Sequence, residues 1–188
     1  MDNRPDIPGL SYFPDFVSED VADTLLRKVD SEVWSTELKR RVQHYGYRYD
    51  YKARAIHSSD HLGPLPDWLN TFITSALPGS IMPERPDQII ANEYLPGKGI
   101  SAHIDCVPCF GETITSLSLA SATTMVFTHS SGAREEFYLQ PRSLIVLSGE
   151  ARFKWRHAIP ARKSDMVSGT RFPRARRVSL TFRKVPPA

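Results

Sequence analysis

Two potential metal ligands, His103 and Asp105, stand one residue apart in the segment NEYLPGKGISAHIDC, residues 92–106. On a strand or at its end, side chains two positions apart point to the same side, so an imidazole and a carboxylate can bind one ion. Two histidines and one carboxylate on one face leave coordination positions open, which is typical of non-haem Fe(II) centres. A His-x-Asp pair is common by chance, so the metal hypothesis requires a second histidine.

His157 is the second histidine that the sequence favours. It follows the apolar segment SLIVLSG and lies in WRHAIP, where a strand could present it to a barrel interior. His129 lies in the turn-like segment THSSG and is interpreted as a loop residue. The other three histidines precede the β-rich part and are poorer candidates: His44, His57 and His61. The alternative for His157 is a hydrogen-bonded histidine of the core or surface.

The segment RVSLTFR, residues 177–183, has the period-two alternation of a strand. Arg177, Ser179, Thr181 and Arg183 face one side, and the apolar residues between them face the other. Guanidinium groups bind carboxylates through two parallel hydrogen bonds, so this face predicts a site for a dicarboxylic co-substrate. The alternative is a strand with a solvated basic face.

Two helices are expected to precede a β-rich core within one domain. The first begins after Ser18, with Val21, Leu25, Leu26, Val29 and Val33 on one face. The second follows Asp67, with Trp68, Leu69, Phe72, Ile73 and Leu77 facing inward, and ends at Pro78. Residues 1–16 are predicted to be irregular or weakly extended, and residues 38–56 to be strand-rich, with tyrosines at 45, 47, 49 and 51. Short β segments from residue 87 onward predict a jelly roll.

The charge of the 188-residue chain is unevenly distributed. Its net charge is +3, yet residues 151–188 carry eleven Lys and Arg residues and one acidic residue, Asp165. This bias favours a polyanionic partner such as nucleic acid, with a solvated basic tail as the alternative. The sequence has no apolar run long enough to span a membrane and no signal-peptide pattern at its start, so we expect a cytoplasmic protein, active as a monomer.

These segments together resemble the AlkB family of Fe(II)/2-oxoglutarate-dependent dioxygenases. The resemblance is carried by N-x-Y-x-x-G-x-x-I-x-x-H-x-D from Asn92 to Asp105, by SGEARFKWRHAIP around His157, and by RVSLTFR. It covers about residues 88–184. It implies a mainly β protein with N-terminal helices, a double-stranded β-helix (jelly roll) with an N-terminal nucleotide-recognition lid. Within a single domain of residues 1–188, the extension and lid would occupy residues 1–86 and the catalytic core residues 87–188.

The resemblance also implies roles for individual residues, with Fe(II), 2-oxoglutarate and O2 as cofactors and no organic prosthetic group. Iron would be bound by His103, Asp105 and His157. The co-substrate site would consist of Arg177 at the distal carboxylate, Tyr94 beside it, Asn92 and Arg183 around the metal-bound end, and Ser179, where bacterial repair enzymes usually carry Asn. The GYRY segment resembles the lid and implies substrate contacts from Tyr47 and Tyr49. The alternative is a tyrosine-rich hairpin packed on the core.

Oxidative dealkylation of alkylated nucleobases in DNA or RNA is the function that the resemblance implies first. The segments HYGYRYDY, TSLSLAS and TFRKV resemble the branch of the family that modifies wobble uridines in tRNA, so hydroxylation of a modified tRNA base is an alternative. An oxygenase acting on a protein side chain or small metabolite is another, and a nucleic-acid-binding module without activity is a fourth. Cys106 and Cys109 are too few for a structural zinc site and are interpreted as packing residues, with redox sensitivity as the alternative.

Overall fold

Strands, most of them in two antiparallel sheets, contain more residues than the helices in the computed structural model, which describes residues 5–38 and 40–187. The three helices are α1, Glu19–Ser31; α2, Asp67–Ala76; and α3, Gly149–Phe153, and a 3-10 turn covers Ser58–Asp60. The strands are β1, Leu10–Phe13; β2, Val42–Tyr45; β3, Gln88–Tyr94; β4, Ile100–His103; β5, Ile114–Leu119; β6, Thr123–His129; β7, Arg134–Leu139; β8, Leu144–Leu147; β9, Trp155–Ile159; β10, Ser164–Val167; β11, Thr170–Pro173; and β12, Arg177–Arg183.

The larger sheet has six strands in the order β1-β8-β5-β12-β3-β2, and the smaller has four in the order β4-β9-β6-β7. The strands β10 and β11 form a separate hairpin. An apolar cluster with residues from both main sheets, including Tyr12, Phe127, Ile145 and Trp155, holds the sheets together. The prediction of a mainly β protein with N-terminal helices is therefore confirmed. None of the helices in the described part of the chain has the length and apolar character needed to cross a membrane.

Strand β12 separates an apolar layer from a polar cavity. It pairs with β3 on one side and β5 on the other, so its backbone is hydrogen-bonded along both edges. Val178, Leu180 and Phe182 are fully buried on the face that packs against the helices. The alternate residues of the same strand line the cavity on the opposite face: Arg177, Ser179, Thr181 and Arg183. The alternation expected from the sequence is what the structure has.

Helix α1 begins where the sequence predicts but buries a different stripe. The Ser18 hydroxyl accepts a hydrogen bond from the Val21 amide at 3.3 Å, which caps the first turn. The buried residues of this helix are Ala22, Leu25 and Val29. Val21 is 40% exposed and Val33 is 91% exposed, so their expected inward placement is wrong. Val21 lies about 100° around the helix from Ala22, and the helix ends before Val33 is reached.

Helix α2 follows the prediction closely. Leu69, Phe72 and Ile73 are buried against the larger sheet, and the Phe72 ring lies 5.6 Å from that of Phe182. The Leu77 amide still donates to the Ile73 carbonyl, and Pro78, which has no amide hydrogen, follows directly.

The tyrosine-rich segment, residues 38–56, is less strand-rich than its period-two pattern predicts, because β2 is the one strand in its described part. Strand β2 ends at Tyr45 because Gly46 has a φ of +76° and lies so close to the next chain segment that a Cβ would meet the Asp87 carbonyl oxygen at 1.8 Å. The Asp50 carboxylate then accepts hydrogen bonds from the amides of Lys52 and Ala53, which forms a tight turn. Only isolated bridges remain beyond β2 in the described part of this segment.

A buried carboxylate connects the N-terminal helix to the central strands. Glu93 on β3 accepts two hydrogen bonds from Arg41, at 2.6 and 2.7 Å, and one from Arg176 at 2.7 Å. Arg176 also binds Asp30 on α1. Arg41 lies over the Trp34 ring at 5.0 Å. Since Glu93 is 3% exposed, these contacts must compensate for the loss of its hydration.

Replacing Glu93 with Gln is expected to lower the free energy of unfolding by about 2 kcal/mol, because two arginines lose their charged partner in a partly buried site. The corresponding fall in Tm, measured by thermal denaturation, is about 4–8 °C for a chain of this size. Glu37→Gln is the matched control, since Glu37 pairs with Arg48 on the surface. An equal loss of stability in both variants would contradict the structural role of Glu93.

Candidate metal centre and co-substrate pocket

The three ligand candidates meet where β4 ends beside β9. His103 and His157 are directly paired across these antiparallel strands, and their ring centroids are 4.4 Å apart. Asp105 follows two residues after His103 and brings an oxygen to 3.7 Å from Nε2 of His157. One ligand atom from each residue lies within 4.8 Å of the others, which suits a single metal ion. His157, expected from the sequence as the second histidine, is therefore at the centre with the His-x-Asp pair.

Both histidines are held in the form that binds a metal. Nδ1 of His103 lies 2.8 Å from the Ser101 carbonyl oxygen. A carbonyl oxygen only accepts hydrogen bonds, so Nδ1 carries the proton and Nε2 is left free for a metal ion. Burial, and next the neighbouring His103, lower the pKa of His157 to about 4, so its ring is neutral near pH 7.

Asp105 is a buried carboxylate that stays ionised. Burial alone would raise its pKa, but the permanent positive charge of Arg183 outweighs burial and leaves the pKa below its usual range. Nη2 of Arg183 donates to the Asp105 carboxylate at 2.7 Å. Through this contact β12 fixes the orientation of the third ligand.

Arg152 on α3 is a site residue that sequence reasoning missed. Its side chain is fully buried and donates to the carbonyl oxygens of Asp105 at 2.8 Å, Cys106 at 3.2 Å and Phe110 at 3.4 Å. It therefore holds the loop that follows the metal ligands. No spacing pattern links Arg152 to these backbone groups, so the sequence offered no signal for this contact.

Arg177 has the properties expected of a carboxylate receptor. It is 2% exposed and lines the cavity, where Nη2 donates to the Ser118 hydroxyl at 2.8 Å. Its Nε and Nη1 atoms have no hydrogen-bond partner among the described residues. Burial lowers the pKa of Arg177 to about 10, which still leaves it charged at neutral pH. Two unpartnered donors on a buried guanidinium fit a two-oxygen anion, and Tyr94 lies beside them with its ring 5.4 Å from the Arg177 guanidinium carbon.

Asn92 and Arg183 line the same cavity but already have protein partners. The Asn92 side-chain oxygen accepts a hydrogen bond from Nε of Arg40 at 3.0 Å. Arg183 binds Asp105 and, at 3.3 Å, the Gln88 side chain. Ser179 is paired with Asn92 in the β12–β3 ladder and also faces the cavity.

The two tyrosines expected to contact substrate are placed differently. Tyr49 lines the cavity, with its ring 5.8 Å from Phe110 and 5.0 Å from Tyr51. Tyr51, which was not expected at the site, lines the cavity as well. Tyr47 is not among the cavity-lining residues and packs against His61 at 4.8 Å.

Cys106 and Cys109 are joined by a disulfide, so their interpretation as packing residues alone is wrong. The turn between them brings their Cα atoms to 5.2 Å, within the usual disulfide range. Cys109 does belong to a small apolar cluster with Phe110 and Ile114. The sulfurs lie 3.3 and 3.5 Å from the Arg54 carbonyl oxygen, so the disulfide connects the loop after the metal ligands to the tyrosine-rich segment.

Several of the basic residues near the C-terminus have partners within the protein. Arg162 and Arg174 bind the buried Asp165, which accepts from Arg174 at 2.6 Å. Arg176 binds Glu93 and Asp30, and Arg183 binds Asp105. Arg177 is buried in the wall of the cavity. Part of the charge bias of residues 151–188 is therefore compensated by ion pairs within the protein.

Comparison with known proteins agrees with this arrangement. Residues 34–183 match the model of the 2OG-Fe(II) oxygenase superfamily. The chain is 37% identical to the Arabidopsis thaliana "Alkylated DNA repair protein ALKBH8 homolog" over 98% of this chain and 60% of that protein. It is 35% identical to the Xenopus tropicalis "tRNA (carboxymethyluridine(34)-5-O)-methyltransferase alkbh8" over 95% of this chain and 32% of that protein. The chain thus spans less than two thirds of the Arabidopsis relative and about a third of the Xenopus one.

The fold agrees with that of a solved structure. The structure titled "The structure of OsALKBH1" superposes with a TM-score of 0.71, covering 96% of this chain and 99% of that one at 16% identity. At this identity the match supports the jelly-roll fold alone. The His-Asp-His triad fits iron, and the superfamily uses Fe(II), 2-oxoglutarate and O2. The chain is an Fe(II)/2-oxoglutarate-dependent dioxygenase and belongs to the AlkB family.

Proposed function

We propose that the protein oxidises an alkyl carbon carried by a nucleobase of DNA or RNA. Oxidative dealkylation is the first candidate for this reaction. The observation that carries this proposal is a cavity of about 860 Å3 that extends from the metal triad to the rings of Tyr49 and Tyr51. Enzymes that act on a base must take it out of the stack, and an extruded base stacks favourably on aromatic side chains. The name of the Arabidopsis relative supports a nucleic-acid substrate.

The chain's own residues would bind and orient the reactants. His103, Asp105 and His157 would hold the iron, and Nε and Nη1 of Arg177 would donate to the distal carboxylate of 2-oxoglutarate. Three further residues would complete the co-substrate pocket: Asn92, Tyr94 and Ser179. With both cofactors bound, dioxygen supplies one oxygen atom to a substrate C–H bond, and the other is used as 2-oxoglutarate becomes succinate and carbon dioxide.

The position of the oxidised carbon decides the final product. A hydroxylated carbon attached to nitrogen leaves as an aldehyde, and the nitrogen recovers its hydrogen. A hydroxylated carbon attached to another carbon keeps its hydroxyl group. Dealkylation and stable hydroxylation therefore require the same active site and differ in the substrate.

Hydroxylation of a modified tRNA base is the second candidate. The Xenopus relative is named for a tRNA substrate that carries a carboxymethyl group on uridine, and such a group offers a carbon-bound CH2 for oxidation. Five arginines and a single carboxylate, Asp105, are the charged residues that line the described cavity, which is compatible with an anionic substituent. Because this chain corresponds to only part of that relative, the shared substrate remains a proposal.

The deciding experiment supplies the protein, Fe(II), 2-oxoglutarate and O2 with methylated and etheno-modified DNA and RNA oligonucleotides and with bulk tRNA. Mass spectrometry of the digested nucleosides and an aldehyde assay distinguish the two candidates. Dealkylation gives aldehyde and the unmodified base, whereas tRNA hydroxylation gives a nucleoside heavier by one oxygen atom. Succinate formation that no nucleic acid stimulates, but a peptide or metabolite does, would overturn the nucleic-acid proposal.

His103→Ala is expected to abolish substrate oxidation because the iron loses one of three protein ligands. Anaerobic Fe(II) affinity, measured by equilibrium dialysis, should fall by more than about 100-fold. Circular dichroism should remain that of the wild type. His57→Ala replaces an exposed histidine outside the triad and should retain iron. Wild-type iron affinity in the His103 variant would remove the metal assignment.

Arg177→Gln is expected to raise KM for 2-oxoglutarate by about 10- to 100-fold, because charged hydrogen bonds contribute about 1.5–3 kcal/mol. KM for the nucleic-acid substrate should change by less than about threefold. Both KM values are measured from the rate of succinate formation, with the concentration of 2-oxoglutarate or of the nucleic acid varied in turn. Arg171→Gln, on the exposed β11 strand, is the control. A variant whose 2-oxoglutarate dependence is unchanged would contradict the assignment of Arg177.

A further inference from the structure

Three arginines line the cavity without an ion-pair partner among the described residues. They are Arg40, Arg54 and Arg156. Asp105 is the one carboxylate in the described lining, and it is already neutralised by Arg183. Once Arg177 is assigned to 2-oxoglutarate, the remaining cavity still carries three uncompensated positive charges. None of the three is assigned to iron or directly to 2-oxoglutarate, although Arg40 contacts Asn92.

Arg40 is held over the cavity by two contacts that leave its outer nitrogens available. Its Nε donates to the buried Asn92 side chain at 3.0 Å, and its guanidinium carbon lies 5.9 Å from the centre of the Tyr51 ring. The fork of Nη1 and Nη2 donors is thereby oriented without being consumed. A guanidinium fixed in this way loses less side-chain entropy when it binds an anion, which strengthens the contact.

Arg54 and Arg156 reach the same cavity from two other elements and are exposed to solvent. Arg54 has a φ of +53°, an unusual backbone conformation for a residue with a side chain. The Asp50 turn lies directly before it, and the sulfurs of the Cys106–Cys109 disulfide lie 3.3 and 3.5 Å from its carbonyl oxygen. Arg156 precedes the metal ligand His157 on β9. Strained backbone is often retained where a side chain has a function.

We propose that Arg40, Arg54 and Arg156 form an oxyanion subsite that selects substrates in which a carboxylate or phosphate lies next to the oxidised carbon, and that disfavours positively charged bases. This inference rests on the proposed nucleic-acid function and names its substrate class. Charge-assisted hydrogen bonds favour the anion, and like charge in a partly desolvated cavity opposes a cation. The anion has two possible sources, a carboxylate on the base or a phosphate that flanks the target nucleotide.

Binding under anaerobic conditions, with Fe(II) and 2-oxoglutarate present, tests the subsite without turnover. Fluorescence anisotropy would compare short RNAs whose central uridine carries a 5-carboxymethyl group or the neutral 5-carbamoylmethyl group of the same shape. A second pair would contain N1-methyladenine, which is positively charged at neutral pH, or neutral N3-methyluridine. A third set would replace the phosphates flanking the target with uncharged methylphosphonates.

The wild-type protein is expected to bind the neutral methylated RNA at least tenfold more tightly than the cationic one. A carboxylate source predicts a preference of at least tenfold for carboxymethyl over carbamoylmethyl. A phosphate source predicts no such preference but a loss of at least tenfold with methylphosphonates. Arg40→Gln should remove most of whichever preference is found, and the triple variant R40Q/R54Q/R156Q should remove all of it.

A triple variant of equal charge, R27Q/R85Q/R171Q, is the matched control, since these arginines lie outside the cavity lining. Both triple variants lose three positive charges and therefore the same general attraction to nucleic acid. If the subsite exists, only R40Q/R54Q/R156Q should also lose the difference in affinity between the two RNAs of each pair. Discrimination lost equally in both, or wild-type binding of cationic and anionic probes with equal affinity, would overturn the subsite. If the R40Q/R54Q/R156Q variant oxidised nucleic acid with wild-type rate and substrate preference, the subsite would be overturned and the proposed function would stand. Absence of binding to every RNA would overturn both.

Discussion

The buried ion pair between Asp105 and Arg183 is the interaction on which the site depends. A carboxylate at 8% exposure would take up a proton without a compensating charge, and a protonated acid is a poor metal ligand. Arg183, the last residue of β12, supplies that charge, with its Nη2 atom 2.7 Å from the Asp105 carboxylate. Arg152 donates to the Asp105 carbonyl oxygen and so holds the backbone of the loop that contains this ligand. The third metal ligand is thus fixed by contacts from two elements distant in sequence.

The position of Arg183 is in turn set by apolar packing. Val178 and Leu180 alternate with the cavity residues of β12 and are fully buried against the helices. A shift of the strand by one residue would place arginines in the apolar layer and valine or leucine beside the metal. Because both edges of β12 are hydrogen-bonded, such a shift would also break pairing with β3 and β5. The core therefore specifies the polar site through the register of one strand.

The sequence predicted the features that depend on short-range periodicity. The His-x-Asp spacing, the histidine after an apolar strand and the alternation of RVSLTFR predicted which side chains the structure brings to one cavity: His103, Asp105, His157 and Arg177. Contacts between distant segments were not predictable in this way. Arg152 donates to carbonyl groups about 45 residues earlier in the chain. The close approach of Gly46 to Asp87 ends β2, although the tyrosine spacing alone would favour a longer strand. The buried face of α1 was also predicted incorrectly. Val21 and Ala22 are adjacent and both apolar, so only packing against the sheet decides which of them is buried.

Composition predicts a polyanion-binding surface in the basic C-terminal part, but the positions of the charged side chains in the structure favour a different region. The arginine-rich C-terminal part uses its charges for internal pairs that build the catalytic core, as with Asp165 and Glu93. Arg40 and Arg54 instead belong to the first 150 residues, where acidic residues outnumber basic ones, and yet they face the cavity without a carboxylate partner in the described chain. A partner is selected by the charges that remain uncompensated, not by the total. Two of the three arginines of the proposed subsite therefore lie before β3, where a substitution can change the charge of the cavity without altering the strands that carry the metal ligands.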